Sequence, residues 1–146
     1  MYLLAGSSLQ QPSAVRPTAL REGGLSEMFL IIDDSRLARM MAVGLITERY
    51  PDARVVEAID AESALTAARD APPDHILLDH NMPGTAGLDL VDTLRDVAPG
   101  ASITLVTANI QSSIRERAEA FGCRFIAKPL TAEKVDALFA DLKAGT

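Results

Sequence analysis

Five short apolar runs alternate with amphipathic stretches from Met28 onward, and this alternation constrains the fold more than any other feature of the sequence. Each run has four or five residues and is rich in β-branched side chains, which indicates β-strands. The runs are residues 29–32, 54–57, 75–78, 102–106 and 124–127. Strands that alternate with helices are joined by right-handed crossovers, which produce a parallel sheet covered by helices on both faces. The sequence therefore predicts an α/β fold, a three-layer (βα)5 sandwich.

The apolar residues between the runs recur at helical spacing, so each set is expected to line one buried helix face. The sets are Leu37, Met40, Met41 and Leu45; Ala61, Ala64, Leu65 and Ala68; Gly87, Leu90, Val91 and Leu94; Ile110, Ile114, Ala118 and Phe121; and Val135, Leu138, Phe139 and Leu142. Asp60 and Thr131 are predicted N-caps, and Gly122 is a predicted C-cap.

The charged residues within the runs predict the order of the strands. The first and third runs are almost wholly apolar, as central strands buried on both faces are. The second run carries Arg54 and Glu57, and the fifth begins with Arg124, charges that edge strands tolerate. Strands two and five at the edges fit the order 2-1-3-4-5.

Length and composition limit the classes of protein to consider. The chain has 146 residues, 48% of them hydrophobic, which fits one ordinary domain with a real core. The net charge of −6 argues against a nucleic-acid partner, which would require a basic patch. Cys123 is the only cysteine, so an internal disulfide is excluded. No apolar run approaches the roughly 20 residues of a membrane span, so a cytoplasmic protein without a membrane partner is expected.

Residues 1–27 differ in composition from the rest of the chain. They contain two adjacent glutamines, two prolines and a Gly-Gly pair, with no sustained period. We predict a flexible N-terminal extension over residues 1–27 and a single folded domain over residues 28–146. Met28 stands directly before the first apolar run, and it is also a candidate for the natural start of the protein.

Polar residues follow four of the predicted strands. Asp33 and Asp34 follow the first, Asp79 the third, Thr107 the fourth and Lys128 the fifth. In an open parallel sheet, chemistry gathers outside the carboxyl ends of the strands, where the strand order reverses. Three carboxylates, one hydroxyl and one ammonium group are therefore expected to converge on one rim of the sheet.

This combination of groups indicates phosphoryl chemistry. Three adjacent carboxylates repel one another, and a hard divalent cation such as Mg²⁺ removes that conflict. Lys128 adds a fixed positive charge, and a carboxylate is an established covalent acceptor of phosphoryl groups. Asp79 is the predicted acceptor, since Mg²⁺, Lys128, the Thr107 hydroxyl and backbone N–H groups can each stabilise part of the transferred charge.

Four segments around these positions resemble the receiver domains of two-component response regulators. The segments are LIIDDS at residues 30–35, LLDHNMPG at 77–84, VTA at 106–108 and FIAKPL at 125–130. The resemblance spans about residues 28–144, essentially the whole predicted domain. It implies the flavodoxin-like fold with strand order 2-1-3-4-5, which is the family's own order.

The resemblance implies a Mg²⁺ site with assigned ligands. Asp34 and Asp79 would be direct ligands, and Asp33 would act directly or through water. Asn81 would contribute its backbone carbonyl and not its side chain. Asp79 would also be the phosphoacceptor.

The resemblance also implies how a phosphoryl group is sensed. Lys128 would pair with the phosphoryl group, and Thr107 would move toward it and bond to it. Phe125 occupies the position of the family's switch aromatic, where Tyr is frequent, so any contact that depends on the Tyr hydroxyl is lost here. The Lys128–Pro129 peptide bond is expected to be cis, as it usually is in the family.

These implied roles describe a signalling switch and not an enzyme with a separate substrate. A histidine kinase or a histidine phosphotransfer protein would donate the phosphoryl group, and the domain would catalyse only its own phosphorylation and dephosphorylation. A downstream protein would then bind the face formed by the fourth helix, fifth strand and fifth helix, which could also form a homodimer. No effector domain is expected after residue 146 or within the first 27 residues, so the sequence favours a stand-alone, chemotaxis-type regulator or a phosphorelay shuttle. Residues 106–111 also resemble chemotaxis-linked receivers.

Two other classes of protein use parts of the same pattern. An aspartyl-phosphate hydrolase of the haloacid-dehalogenase kind also pairs an Asp nucleophile with Mg²⁺ and Lys. It would place Asp-x-Asp after the first strand, where this chain has Asp33-Asp34. A flavin- or nucleotide-binding domain of the same fold would need a phosphate-binding loop there, and the two acids would repel phosphate without a metal.

Overall fold

The structure is a computed structural model that describes residues 27–145, and these form a parallel five-stranded sheet between two layers of helices. The strands are β1 Met28–Ile32, β2 Arg54–Ala58, β3 His75–Leu78, β4 Ser102–Thr107 and β5 Arg124–Ala127. The helices are α1 Arg36–Arg49, α2 Ala61–Asp70, α3 Val91–Val97, α4 Ser112–Ala120 and α5 Ala132–Gly145, with a 3-10 turn over Gly87–Leu90 before α3. The predicted α/β class is confirmed.

The strand order is β2-β1-β3-β4-β5, which is the predicted order 2-1-3-4-5 of a flavodoxin-like fold. The register brings the carboxyl ends level, because Ile32 pairs with both Ala58 and Leu78, and Thr107 pairs with Ala127. The residues that follow β1, β3 and β5 therefore emerge at one edge of the sheet. We call this edge the upper rim, and the edge at the amino ends of the strands the lower rim.

Each face of the sheet supports its own core. Phe29 and Ile31 of β1 lie in a cluster with Ile46 of α1 and Phe139 of α5. Leu30, which points to the opposite face, belongs to a second cluster with α2, α3 and α4. Burial of β1 on both faces explains why its run is wholly apolar.

Three of the predicted helix faces are confirmed by burial, and the remaining two contain errors. The sets that begin at Ala61, Gly87 and Val135 are buried or half-buried. Three of the four predictions on α1 are wrong, since Leu37, Met40 and Met41 are 66%, 57% and 43% exposed, whereas Leu45 packs against the cluster around Phe29. The buried positions of α1 are instead Ala42 and Ile46, which pack with Phe29 and Ile31. Ile110 is also exposed, because it precedes the first residue of α4.

The predicted caps are confirmed. The Asp60 side chain accepts a hydrogen bond from the Ser63 N–H in a capping box. The Thr131 hydroxyl oxygen accepts one from the Lys134 N–H at 3.2 Å. Gly122 follows the last turn of α4 with φ of 75°, the left-handed conformation that commonly ends helices.

The predicted N-terminal extension lies outside the described residues, apart from Glu27, and it stays a prediction. Glu27 is buried at the lower rim, where its backbone carbonyl accepts a hydrogen bond from the Arg54 N–H. Within residues 27–145, no helix has the length and apolar character needed to cross a membrane.

Candidate functional site

Three carboxylates meet at the upper rim, as the strand ends predict. Asp33 and Asp34 follow β1, Asp79 follows β3, and one oxygen from each lies within 4.8 Å of the others. Asp33 and Asp79 are each only 5% exposed, whereas Asp34 is exposed. Two buried acids and one accessible acid therefore form a cluster that opens to solvent on one side.

Two contacts that the sequence analysis did not identify hold Asp33 in place. The Ser35 N–H donates to Asp33 Oδ1 at 2.9 Å, and Ser35 in turn caps α1. Arg39 donates to the Asp33 backbone carbonyl at 2.8 Å and pairs with Glu57 of β2 at 2.9 Å. A Ser before a helix is a readable capping signal, but nothing in the sequence marks Arg39, whose partners are a backbone carbonyl and a distant strand.

Lys128 reaches the acid cluster from the end of β5. Its Nζ lies 2.6 Å from Asp33 Oδ2 and 3.6 Å from Asp79 Oδ2. Its backbone N–H donates to the Thr107 carbonyl at 2.9 Å, and the Lys128–Pro129 bond is cis, as expected. One ammonium group against three carboxylates leaves the cluster with surplus negative charge.

Asp79 has a buried side-chain oxygen that the cluster leaves unsatisfied. Among residues 27–145, its Oδ1 is buried and finds no hydrogen-bond partner. Burial raises the pKa of the Asp79 carboxyl above its usual range, Lys128 opposes the rise, and repulsion from Asp33 adds to it. A buried carboxylate oxygen without a partner is costly in a folded protein, so this atom marks the centre of the site.

The loop after Asp79 closes tightly against β3. The His80 carbonyl accepts hydrogen bonds from the N–H groups of Met82 and Gly87, and His80 Nδ1 accepts one from the Leu88 N–H at 3.3 Å. A Cβ at Gly87 would lie 2.3 Å from the Asp79 carbonyl oxygen, so only glycine permits this approach. Asn81 lies at the start of the loop with an exposed side chain.

The predicted switch residues lie on the two neighbouring strands, with Thr107 at the end of β4 and Phe125 within β5. Thr107 is fully buried, and its hydroxyl oxygen accepts a hydrogen bond from the Asn109 N–H at 3.2 Å. Phe125 is half-buried on β5, with the guanidinium carbon of Arg115 4.3 Å from its ring centroid. Arg115 therefore covers the ring by a cation–π contact.

The acid cluster fits a hard divalent cation. Mg²⁺ prefers oxygen ligands, and a bound cation would give the orphaned Asp79 Oδ1 and the surplus negative charge a partner. Asp33, Asp34 and Asp79 are the carboxylates that would hold it. Soft metals that select thiolate ligands do not fit this donor set.

An apolar surface adjoins the acid cluster. A cavity of about 390 Å³ opens between α1 and the β5–α5 connection, lined by Asp79 and Lys128 and by apolar residues that include Leu37, Met41 and Leu130. Leu37 and Met41 are themselves exposed. Leu37 and Met41 of α1 therefore border the site and are not part of the protein's own core.

Comparison with known proteins identifies the family. The family model described as "Response regulator receiver domain" matches residues 29–140. The probable transcriptional regulatory protein TcrX of Mycobacterium tuberculosis is 34% identical over 119 residues, which are 79% of this chain and 49% of TcrX. The chemotaxis protein CheY of Thermotoga maritima is 28% identical over 112 residues, which are 76% of this chain and 92% of CheY.

A solved structure agrees with these relatives. A response regulator protein from Burkholderia pseudomallei, with a phosphorylated aspartic acid, a calcium ion and citrate, is 28% identical, with a TM-score of 0.70. The alignment covers 82% of this chain and 71% of that one. The chain spans about half the length of TcrX, so the activities of that whole protein do not transfer directly.

Neither the hydrolase nor the flavin-binding class is the family that matches. The matched region begins at the second residue of β1 and ends within α5, so it includes all five strands except Met28, together with every acid of the cluster. The chain therefore belongs to the response regulator receiver domains of two-component systems.

Proposed function

We propose that this receiver accepts a phosphoryl group on Asp79, in a Mg²⁺-dependent step, from a histidine kinase or a histidine phosphotransfer protein. The observation that carries the proposal is the buried, unpartnered Oδ1 of Asp79, on a carboxylate whose other oxygen, Oδ2, lies 3.6 Å from Lys128 Nζ. Structural ion pairs are normally satisfied, whereas a group that must react keeps an oxygen available. Receiver domains generally use Mg²⁺, and the acid cluster offers suitable ligands.

The chemistry at Asp79 is a direct transfer between two nucleophiles. A carboxylate oxygen of Asp79 attacks phosphorus, a P–O bond forms, and the P–N bond of the donor phosphohistidine breaks with its electron pair staying on the imidazole. Burial raises the pKa of Asp79, so its carboxylate is more basic than a surface aspartate. Asp33, Asp34 and Asp79 would hold Mg²⁺, which would supply positive charge to offset the negative charge of the phosphoryl group.

Lys128 and Thr107 provide the remaining contacts to the new group. Lys128 Nζ already lies between Asp33 and Asp79, so a small movement brings it to a phosphoryl oxygen. The Thr107 hydroxyl is buried at the end of β4 and would donate a hydrogen bond to another. Asn81 is proposed to supply its backbone carbonyl to the metal, since it lies at the start of the loop beside Asp79.

The signal is proposed to leave the site through Phe125. If Thr107 moves toward the phosphoryl group, the space it leaves lets the half-buried Phe125 ring turn inward, which shifts a pre-existing equilibrium of the α4–β5–α5 face. That face would bind the downstream protein or form a homodimer. The alignment covers 92% of CheY, which supports a single-domain mode of action. A cytoplasmic location is proposed because a donor kinase is itself phosphorylated by ATP.

The phosphoryl donor is proposed to be a protein because an apolar surface adjoins the acid cluster. Leu37 and Met41 are exposed and line the cavity beside the acid cluster, and exposed apolar patches of this kind mark protein contacts. The double variant Leu37→Ser, Met41→Ser is expected to slow transfer from a kinase while leaving transfer from acetyl phosphate unchanged. Equal loss with both donors would contradict a docking role.

The proposal is tested by incubating the protein with Mg²⁺ and acetyl phosphate and measuring its intact mass. The expected result is one added phosphoryl group in the wild type and in Asp52→Asn, a matched exposed acid at the lower rim, and none in Asp79→Asn. No mass gain in the wild type, or an equal gain in Asp79→Asn, would overturn the proposal.

A further inference from the structure

Lys134 occupies a position in α5 that helix electrostatics disfavours. It lies in the first turn, where the helix dipole places partial positive charge and cations are destabilising. Its half-buried side chain instead turns back toward β5, where Nζ donates to the Ala127 carbonyl at 2.6 Å and to the Pro129 carbonyl at 3.1 Å. These two hydrogen bonds therefore compensate for the unfavourable position of a cation in the first turn of the helix.

The Ala127 carbonyl needs a partner that the sheet does not provide. Among residues 27–145, β5 is an edge strand and pairs only with β4. Backbone groups of successive strand residues point to opposite sides, and the Lys128 N–H points toward β4, where it donates to the Thr107 carbonyl. The Ala127 carbonyl therefore points to the open edge, and Lys134 supplies the missing donor.

The two carbonyls that Lys134 joins stand on either side of Lys128. We propose that Lys134 is a positioning residue, whose ammonium group fixes the backbone around Lys128 so that Lys128 Nζ stays aimed at Asp79. The inference rests on the proposed phosphoacceptor function of Asp79. The other anchors of this connection are the Thr107 carbonyl, the buried Leu130 side chain and the Thr131 cap, and none of them joins both flanks of Lys128.

The substitution Lys134→Met removes the charge and the donors while keeping the length of the side chain. We expect phosphorylation by acetyl phosphate at saturating Mg²⁺ to slow about tenfold, because misplacement of a catalytic group by less than 1 Å lowers rates on this scale. The Mg²⁺ concentration for half-maximal rate should change less than about twofold, since the three carboxylates are untouched. Lys134→Arg, which keeps charge and donors, should recover most of the rate.

Lys143→Met is the matched control on the same helix. Lys143 lies about 13 Å farther along α5, in the last turn, and its substitution should leave the rate unchanged. A wild-type rate in Lys134→Met, or an equal loss in Lys143→Met, would overturn the inference.

A double-mutant cycle separates positioning from general damage to the fold. If Lys134 acts through Lys128, the effect of Lys134→Met should disappear when Lys128 is already Met. Additive losses in the double variant would mean that Lys134 acts by another route, and the inference would fall.

Amide hydrogen exchange provides a readout that does not depend on phosphorylation. The Lys128 N–H should exchange several-fold faster in Lys134→Met than in the wild type, whereas the N–H of Asp79, which lies just after β3 and donates to the Ile32 carbonyl, should not change. Unchanged exchange at Lys128 would contradict the inference even if Asp79 is phosphorylated. Faster exchange in a protein that takes up no phosphate would instead mean that the proposed function is wrong.

Discussion

The two rims of the sheet each contain a cluster of buried ionisable groups. The clusters differ in whether all their buried polar atoms have hydrogen-bond partners. At the lower rim, His75 of β3 bonds to Glu27 through Nε2 and to Ser102 through Nδ1. At the upper rim, Asp79 at the end of the same strand keeps one buried oxygen without a partner. A satisfied cluster maintains the fold, whereas an unsatisfied one marks the place where a ligand or a reaction belongs.

The clusters also differ in charge. The lower cluster pairs one acid with one imidazole beneath the Phe29 ring, whose centroid lies 4.9 Å from that of His75. The upper cluster sets three acids against Lys128. We therefore expect the lower cluster to stabilise the folded protein and the upper cluster to destabilise it. Substitutions in the two clusters should change the free energy of unfolding in opposite directions.

The largest effect is expected at the lower rim. Glu27→Leu leaves the buried His75 without its acidic partner and should lower the free energy of unfolding by about 3 kcal/mol. The double variant Glu27→Leu, His75→Phe replaces the pair with apolar groups and should recover most of that loss. Urea unfolding measures both, and a loss below about 0.5 kcal/mol in Glu27→Leu would contradict a stabilising role.

At the upper rim, a substitution is expected to raise the free energy of unfolding. Asp79→Asn removes a buried charge and its repulsion from Asp33, so the metal-free protein should gain about 1 to 2 kcal/mol in free energy of unfolding. The exposed Asp34 serves as the control, since Asp34→Asn should change stability by less than about 0.5 kcal/mol. A destabilised Asp79→Asn variant would mean that the Asp79 carboxylate supports the fold, and the contrast between the rims would be lost.

The pH dependence of that gain is the smallest expected effect. Because burial raises the pKa of Asp79 in the folded state, the folded protein holds a proton that the unfolded chain has already released. The contribution of Asp79 to stability should therefore fall as pH rises from the ordinary pKa of an aspartate through the raised pKa of Asp79. The advantage of Asp79→Asn should be absent below this window and complete above it, as unfolding curves in metal-free buffer would measure. An advantage that is constant with pH would contradict a raised pKa.

The parts of the site that sequence analysis predicted are those that depend on strand ends. Asp33, Asp79 and Lys128 follow apolar runs whose order and register are specified by hydrophobic pattern, so their convergence follows from the fold. The helical spacing of Leu37 and Met40 predicts a core position, but both side chains are exposed. An apolar helix face has the same sequence pattern whether it packs on its own sheet or is exposed to bind another protein. Lys134 was missed because its acceptors are backbone carbonyls, which have no signature in the residue types.

The central claim is that Asp79 itself carries the phosphoryl group. Borohydride reduces an acyl phosphate to the alcohol, so treatment after phosphorylation should convert the acceptor aspartate to homoserine. Tryptic cleavage places Asp79 in the peptide of residues 70–95, between Arg69 and Arg95. We predict homoserine at position 79 of this peptide only after incubation with acetyl phosphate and Mg²⁺. Homoserine at position 33 or 34, or at no position, would contradict the account.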